Sequence, residues 1–243
     1  MLLSRLIPTC CHCCARTVPA TTAPSQSFTE PWRTGIARSP FFNTIIIWEA
    51  AFSRESATPP RATTERWREV AHANGLGELY LCMVEGFAED RRDPRHLGFD
   101  AAVEFQPDWI NLSSRLQPGS EWRIIRKVKR VNQAYIENYI CDYAETVESM
   151  LRKPKADYKR FPGVTPSFDN TARRTTGAVI IHGSTPELYE KWLRATIDNF
   201  TPYSPDENLL FINAWNEWAE GNHLEPCQRW GLGVPWSNQA SLT

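Results

Sequence analysis

Two apolar runs constrain the fold before any composition is counted. Thr44-Ile45-Ile46-Ile47-Trp48 is an unbroken, mostly β-branched stretch, and Glu78-Leu79-Tyr80-Leu81-Cys82-Met83-Val84-Glu85 repeats that texture. Short runs without polar alternation are the pattern of strands buried on both faces, which belong to parallel sheets covered by helices. Between and after them lie helical segments. Thr63 to Asn74 is expected to be a helix presenting Trp67, Val70 and Ala71 and stopped at Gly75. Glu137 to Arg152 is expected to be amphipathic, with Tyr139, Ile140, Tyr143, Val147 and Leu151 on one face. Ser184-Thr185-Pro186-Glu187 places a hydroxyl, a first-turn proline and a glutamate in capping-box register. Leu188, Tyr189, Trp192, Leu193, Thr196 and Ile197 then line the next helix. Strand–helix alternation of this kind predicts an α/β parallel sheet.

The strand ends carry the chemistry. Further strands are expected at Phe99–Phe105, around Gly163–Asn170 and at Asn208–Asn213. Several ends fall on an acid or amide: Glu85, Glu104, Asp169 with Asn170, and Glu217. Catalytic groups collect at strand C-termini in parallel α/β barrels. The expected fold is a partial (β/α)8 TIM-type barrel, roughly its C-terminal half with about five parallel strands. Residues 41–230 are expected to form this unit and 231–243 an irregular tail. Residues 1–40, rich in Thr, Ser, Pro, Ala and Arg without periodicity, are expected to be disordered or non-native.

The segment Phe211–Pro226 begins as a buried strand and ends in three glutamates, Glu217, Glu220 and Glu225, among two tryptophans and three asparagines. A packed core needs no such mixture. A sugar site does: carboxylates for proton transfer, indoles for pyranose faces, amides for hydroxyls. If the chain turns helically after Trp215, Glu217 and Glu220 share a side, a spacing suited to retaining glycoside chemistry. A fully extended chain would place them on opposite faces. Asn213 and Asn216 are candidates to orient the carboxylates. Of Trp215 and Trp218, one is expected in the core and one at the cleft. His223 reads as a hydroxyl ligand or a surface histidine, and Glu225 as a substrate contact or a turn cap. Asp169 and Asn170 read as hydroxyl ligands, and Glu85 and Glu104 as hydroxyl ligands or partners of an arginine. Arg173-Arg174 reads as an anion-holding pair or a solvated one.

Other classes find less support. A net charge of −1 offers no basic excess for nucleic acid. No stretch approaches the roughly 20 apolar residues of a membrane span, and no convincing signal peptide opens the chain, so a cytoplasmic location is expected. Four of the seven cysteines sit in Cys10-Cys11-His12-Cys13-Cys14, but no second ligand pair follows at zinc-site spacing. No metal and no cofactor is implied.

The quoted residues resemble a known family. FINAWNEWAEGNHLEP (211–226), RWREVAHANGLGELYLCMVEGF (66–87), GFDAAVEFQP (98–107), GVTPSFDNTARR (163–174) and HGSTPELYEKWL (182–193) are similar, in order, to the WbsX-type glycosyltransferases, also described as glycoside hydrolase family 99-like. The resemblance runs over about residues 43–230. It implies a (β/α)8 barrel acting on oligosaccharide or polysaccharide, often in lipopolysaccharide O-antigen or capsule synthesis. Distant relatives are endo-acting α-mannosidases whose motif also holds two glutamates three apart, the positions of Glu217 and Glu220. In those relatives the pair cleaves with retention and the substrate's own 2-hydroxyl takes part. Here one glutamate is expected as acid/base and the other as assisting at the anomeric side or the 2-hydroxyl, with Glu220 read as the acid/base and Glu217 as the assisting base. Whether the family makes or breaks bonds is left open by the motif. The barrel's N-terminal half and last helix have no counterpart among these segments. The expectation is therefore a truncated version, with a non-catalytic, weakly glycan-binding remnant as the alternative.

Overall fold

The computed structural model describes residues 60–116 and 134–234, and before them the backbone of three strands. These are β1 (Arg5–Thr9), β2 (Arg33–Ala37) and β3 (Thr44–Glu49). Then follow α1 (Pro60–Ala73), β4 (Leu79–Glu85), β5 (Ala101–Glu104), the short α2 (Ala134–Glu137), β6 (Tyr139–Asp142) and α3 (Tyr143–Leu151). After them come β7 (Arg160–Phe161), β8 (Gly163–Val164), β9 (Phe168–Asp169), β10 (Val179–His182), α4 (Pro186–Asn199) and β11 (Leu209–Asn213). A closing hairpin pairs β12 (Asn216–Glu217) with β13 (Asn222–His223). Cys10–Cys14 lies outside the described residues, as does most of 1–40 apart from β1 and β2.

Strands β3, β4, β5 and β7 run parallel as neighbours, with β2 antiparallel at the edge. Strands β8, β11 and β1 form a second parallel set. Only Pro162 separates β7 from β8, so the stretch 160–164 belongs to both sets. The expected α/β class with parallel strands is what the chain adopts.

The pleat sorts the core. Leu81 and Met83 of β4 pack with Phe99 against Trp67 and Ala71 of α1. Their alternates Cys82 and Val84 face the other way, joining Ala101, Val103, Phe161, Leu209 and Phe211. On β11, Leu210 and Ile212 instead meet Tyr143 and Val147 of α3 and Tyr189, Trp192 and Leu193 of α4. Period-two alternation thus puts helices on one face and an apolar, aromatic layer on the other.

Three local expectations are corrected. Tyr139–Asp142 is not helical: it is β6, parallel to β10, and α3 starts only after Asp142, whose side chain accepts from Glu145 N at 2.9 Å. Tyr, Ile and Cys suit a half-buried strand as well as a helix face, and pairing with Val179–His182 decides between them. Helix α4 is capped by Thr185 rather than Ser184, its Oγ1 accepting from Leu188 N at 3.3 Å. Asp169 ends an antiparallel strand, since β9 folds back onto β10 instead of continuing β8.

Gly163 fixes how closely β8 approaches β5. A Cβ there would stand 2.1 Å from the Glu104 carbonyl oxygen, and β5 is held on its other side by β4. Gly163→Ala is therefore expected to destabilise by about 2–3 kcal/mol through overpacking. A urea midpoint unchanged from wild type would show that the two strands can separate freely.

Candidate functional site

Beyond the wholly buried strand β11 the chain surfaces as a hairpin. Residues Trp218–Glu220 form one 3-10 turn between β12 and β13, and Glu217 stands at its N-cap position. Glu220 ends this turn and Glu217 precedes it, three residues away, with φ −84° and ψ 70°, outside the helical region. The turn closes at Gly221, with φ +54°. That left-handed conformation suits glycine, and a Cβ would also crowd Asp169 at 3.2 Å.

The hairpin is tied down along its return strand. Asn222, wholly buried, accepts at Oδ1 from Ala214 N and from the Thr165 hydroxyl, both at 3.0 Å. Ser167 donates to the Gly221 carbonyl at 2.5 Å, and Leu224 N donates to Ala214 O at 3.1 Å. Asn213, at the end of β11, donates to the Gln106 carbonyl and so links β11 to the segment after β5. The glutamates ride on a turn stitched to three strand ends.

Their surroundings differ. Among the described residues the Glu217 carboxylate has no hydrogen-bond or ion-pair partner. Glu220 accepts from Arg173 Nη1 at 2.5 Å. The Arg173 pairing spans 47 residues, and no local pattern could have indicated it; the sequence offered this arginine only as an anion holder or a solvated charge. Trp215 and Trp218 are both exposed, at 39% and 50%. The expectation that one lies in the core is thus overturned: β12 pairs with β13, not with the main sheet, which leaves both indoles outside. The Trp218 ring stacks on His223 at 3.8 Å, and its N–H donates to Glu225 Oε2 at 2.7 Å. Burial pushes the His223 imidazole below its usual range, with Glu225 pulling the other way. Asn216 pairs across the hairpin with His223.

The remaining candidates stand in supporting positions. Asp169 Oδ1 accepts from Thr171 N and from its hydroxyl, and Asn170 Oδ1 accepts from Val179 N, which holds the loop that carries Arg173. Glu85 and Glu104 belong to an ion network. Tyr158 donates to Glu85 at 2.5 Å, and Arg160 reaches Glu85 at 3.5 Å and Glu104 at 3.9 Å. Lys153 bonds Glu104, and also Asp108 at 3.0 Å, while Arg91 closes on Asp108 from the other side. Glu85 shares parity with Leu81 and Met83, which face α1, rather than with Cys82 and Val84. Burial pushes the Glu85 carboxyl up, opposed by Tyr158 and Arg160. Lys153 was not singled out from the sequence, because nothing in a lone lysine after a helix indicates burial.

Among the described residues no three His, Cys, Asp or Glu side chains gather as a metal set. None of the described helices is long and apolar enough to cross a membrane.

The profile of the glycosyltransferase WbsX family matches residues 44–234. The proteins described as "Uncharacterized protein WxcX" from two strains of Xanthomonas campestris pv. campestris are 41% identical over 179 residues. That match covers 73% of this chain and 24% of theirs, so the chain spans about a quarter of these relatives' length. Among solved structures, a glycoside hydrolase-like protein aligns at TM-score 0.45 and 14% identity, over 77% of this chain and 51% of its own. A family 99 endo-α-mannosidase from Bacteroides thetaiotaomicron aligns at TM-score 0.34 and 15% identity, over 68% and 45%. From the extent of the family match and the identity to the Xanthomonas proteins, the chain belongs to the glycosyltransferase WbsX family of carbohydrate-active proteins.

Proposed function

We propose that this chain forms or cleaves glycosidic bonds of an oligosaccharide or polysaccharide, with Glu217 and Glu220 as the catalytic pair. The observation that carries this reading is the short 3-10 turn beyond a buried strand, which holds Glu217 and Glu220 three residues apart beside exposed indoles. Glu220 transfers the proton at the glycosidic oxygen, and Glu217 takes the proton of the hydroxyl that assists at the anomeric carbon. Arg173, itself 41% exposed, leaves Glu220 when substrate enters. Trp215, Trp218 and Asn216 contact the glycan. Residues 41–230 are the working unit, and the parallel strands β3, β4, β5, β7/β8 and β11 are read as a segment of a (β/α)8 barrel with the hairpin at its C-terminal face. O-antigen or capsule glycans in the cytoplasm are the proposed context.

Product analysis tests the reading. The protein is incubated with an α-mannoside oligosaccharide, and separately with a nucleotide-sugar donor and an acceptor glycan. Mass spectrometry is expected to show shortened glycan in the first or extended acceptor in the second. Glycan binding with neither product would replace the enzyme reading with that of a non-catalytic binding remnant.

A further inference from the structure

The geometry points to Trp218 as a preassembled stacking platform for one pyranose ring, with His223 and Glu225 as its positioning residues rather than hydroxyl ligands; this rests on the glycan reading above. Three observations carry it. The imidazole of His223 lies under the indole at 3.8 Å between centroids and 18° between planes, so one face of Trp218 is already covered. The indole N–H is anchored on Glu225 at 2.7 Å, which fixes the ring's rotation. The residue nonetheless remains 50% exposed, which leaves the opposite face to the outside. An aromatic face that is backed and latched in this way loses little conformational freedom on binding.

The chemistry of the surroundings selects the occupant. A bare apolar contact would want further apolar surface, but the Trp218 ring is edged by the Glu225 carboxylate, and its chain neighbours within two residues include Asn216, Glu217 and Glu220. One ring of apolar surface inside a polar rim matches a sugar, whose C–H bonds gather on a pyranose face while its hydroxyls point outward. A charge-assisted hydrogen bond from the indole N–H to a carboxylate also makes the ring more electron-rich, and its negative face then attracts the partly positive C–H bonds more strongly. His223 backs the ring as an aromatic plane, and burial lowers its imidazole below the usual range against the pull of Glu225, which disfavours a competing positive charge there. Trp215 lacks this support: among the described residues its ring makes no aromatic contact. The platform stands within the same 3-10 turn as the glutamate pair, so the ring it holds is next to the bond that reacts.

Nitrogen-15 NMR of the indole N–H groups tests this, with the Trp218 signal identified by its loss in Trp218→Phe. The probes are α-mannobiose, maltotriose and cellotriose. The Trp218 resonance is expected to shift with at least one of them. Trp218→Ala is expected to weaken that binding by about tenfold or more, and Trp218→Phe to retain most of it. His223→Ala is expected to weaken binding, and His223→Phe, which keeps a ring under the indole, to restore it. A Trp218 signal that stays still while a sugar binds, Trp218→Ala affinity equal to wild type, or no binding of any probe overturns the platform. If Trp218→Ala binds normally while the glutamate variants abolish turnover, the platform fails and the catalytic reading stands. If the Trp218 pattern holds but no glycan is ever shortened or extended, the catalytic reading fails and the platform stands.

Discussion

Glutamine at Glu217 or at Glu220 is expected to lower turnover by about 10²–10⁴-fold each, with glycan affinity and thermal midpoint nearly unchanged. The substitution keeps shape and hydrogen-bonding reach but removes the exchangeable carboxyl proton. The hairpin is held mainly by other groups. These are Asn222, Thr165, Ser167 and the Leu224 amide. Glu220→Gln does break the ion pair with Arg173, but the guanidinium is 41% exposed against 14% for the carboxylate, glutamine can still accept from it, and the loss is expected to be about 1 kcal/mol. The pH dependence of kcat/KM separates the two roles. A bell-shaped profile has an acid limb from the base and an alkaline limb from the acid. Glu220→Gln is expected to flatten the alkaline limb and Glu217→Gln the acid limb. Wild-type rates in both variants would remove the pair from the mechanism. An exchange of the two limbs would keep the pair and reverse its roles.

What could be read along the chain and what could not follow one physical line. Strands β4 and β11 were legible because burial on both faces leaves continuous apolar runs, Leu79–Val84 and Leu209–Ile212. Helix α4 was legible because Tyr189, Trp192 and Leu193 recur at helical spacing and face the core. The turn after Glu217 was legible because it is local, and Gly221 marks its end. Pairings between distant segments were not. Residues 139–142 have a pattern that fits either state until β10, forty residues on, supplies a partner. Arg173 meets Glu220 and Thr165 meets Asn222 across 47 and 57 residues. The Asn222 clasp was hidden because asparagine in a loop is ordinarily a solvated turn residue. The indoles were misjudged for a related reason: alternation implies opposite faces only if the strand belongs to the main sheet, and β12 pairs with β13 alone.

The ion network behind β5 gives the second large effect, Lys153→Met. Lys153, 7% exposed, lies between Glu104 and Asp108, 12% and 3% exposed. Three acids, Glu85, Glu104 and Asp108, face three cations, Arg91, Lys153 and Arg160. Methionine matches the length and apolar stem of lysine but leaves one buried negative charge uncompensated. Breaking a buried pair from one side costs about 3–5 kcal/mol. The sign of its pH dependence follows from Asp108. Burial pushes that carboxyl up, but Lys153, Asn111 and Arg91 more than offset this and hold it below the usual range. A depressed carboxyl contributes stability above its unfolded pKa of about 4, and that contribution is lost as pH falls through the lower folded value. Without Lys153 much of the depression disappears, and protonation then relieves the unpaired charge. The gap between Lys153→Met and wild type should therefore be widest near neutral pH and shrink as pH falls toward about 4. Glu85 runs the opposite way in both proteins: its raised carboxyl costs stability near neutral pH, and protonation removes that cost, so it cancels in the difference. Urea midpoints at neutral pH and near the carboxylate range check this directly. A deficit of equal size at both would mean that lost packing of the lysine stem, rather than its charge, holds β5 to α3.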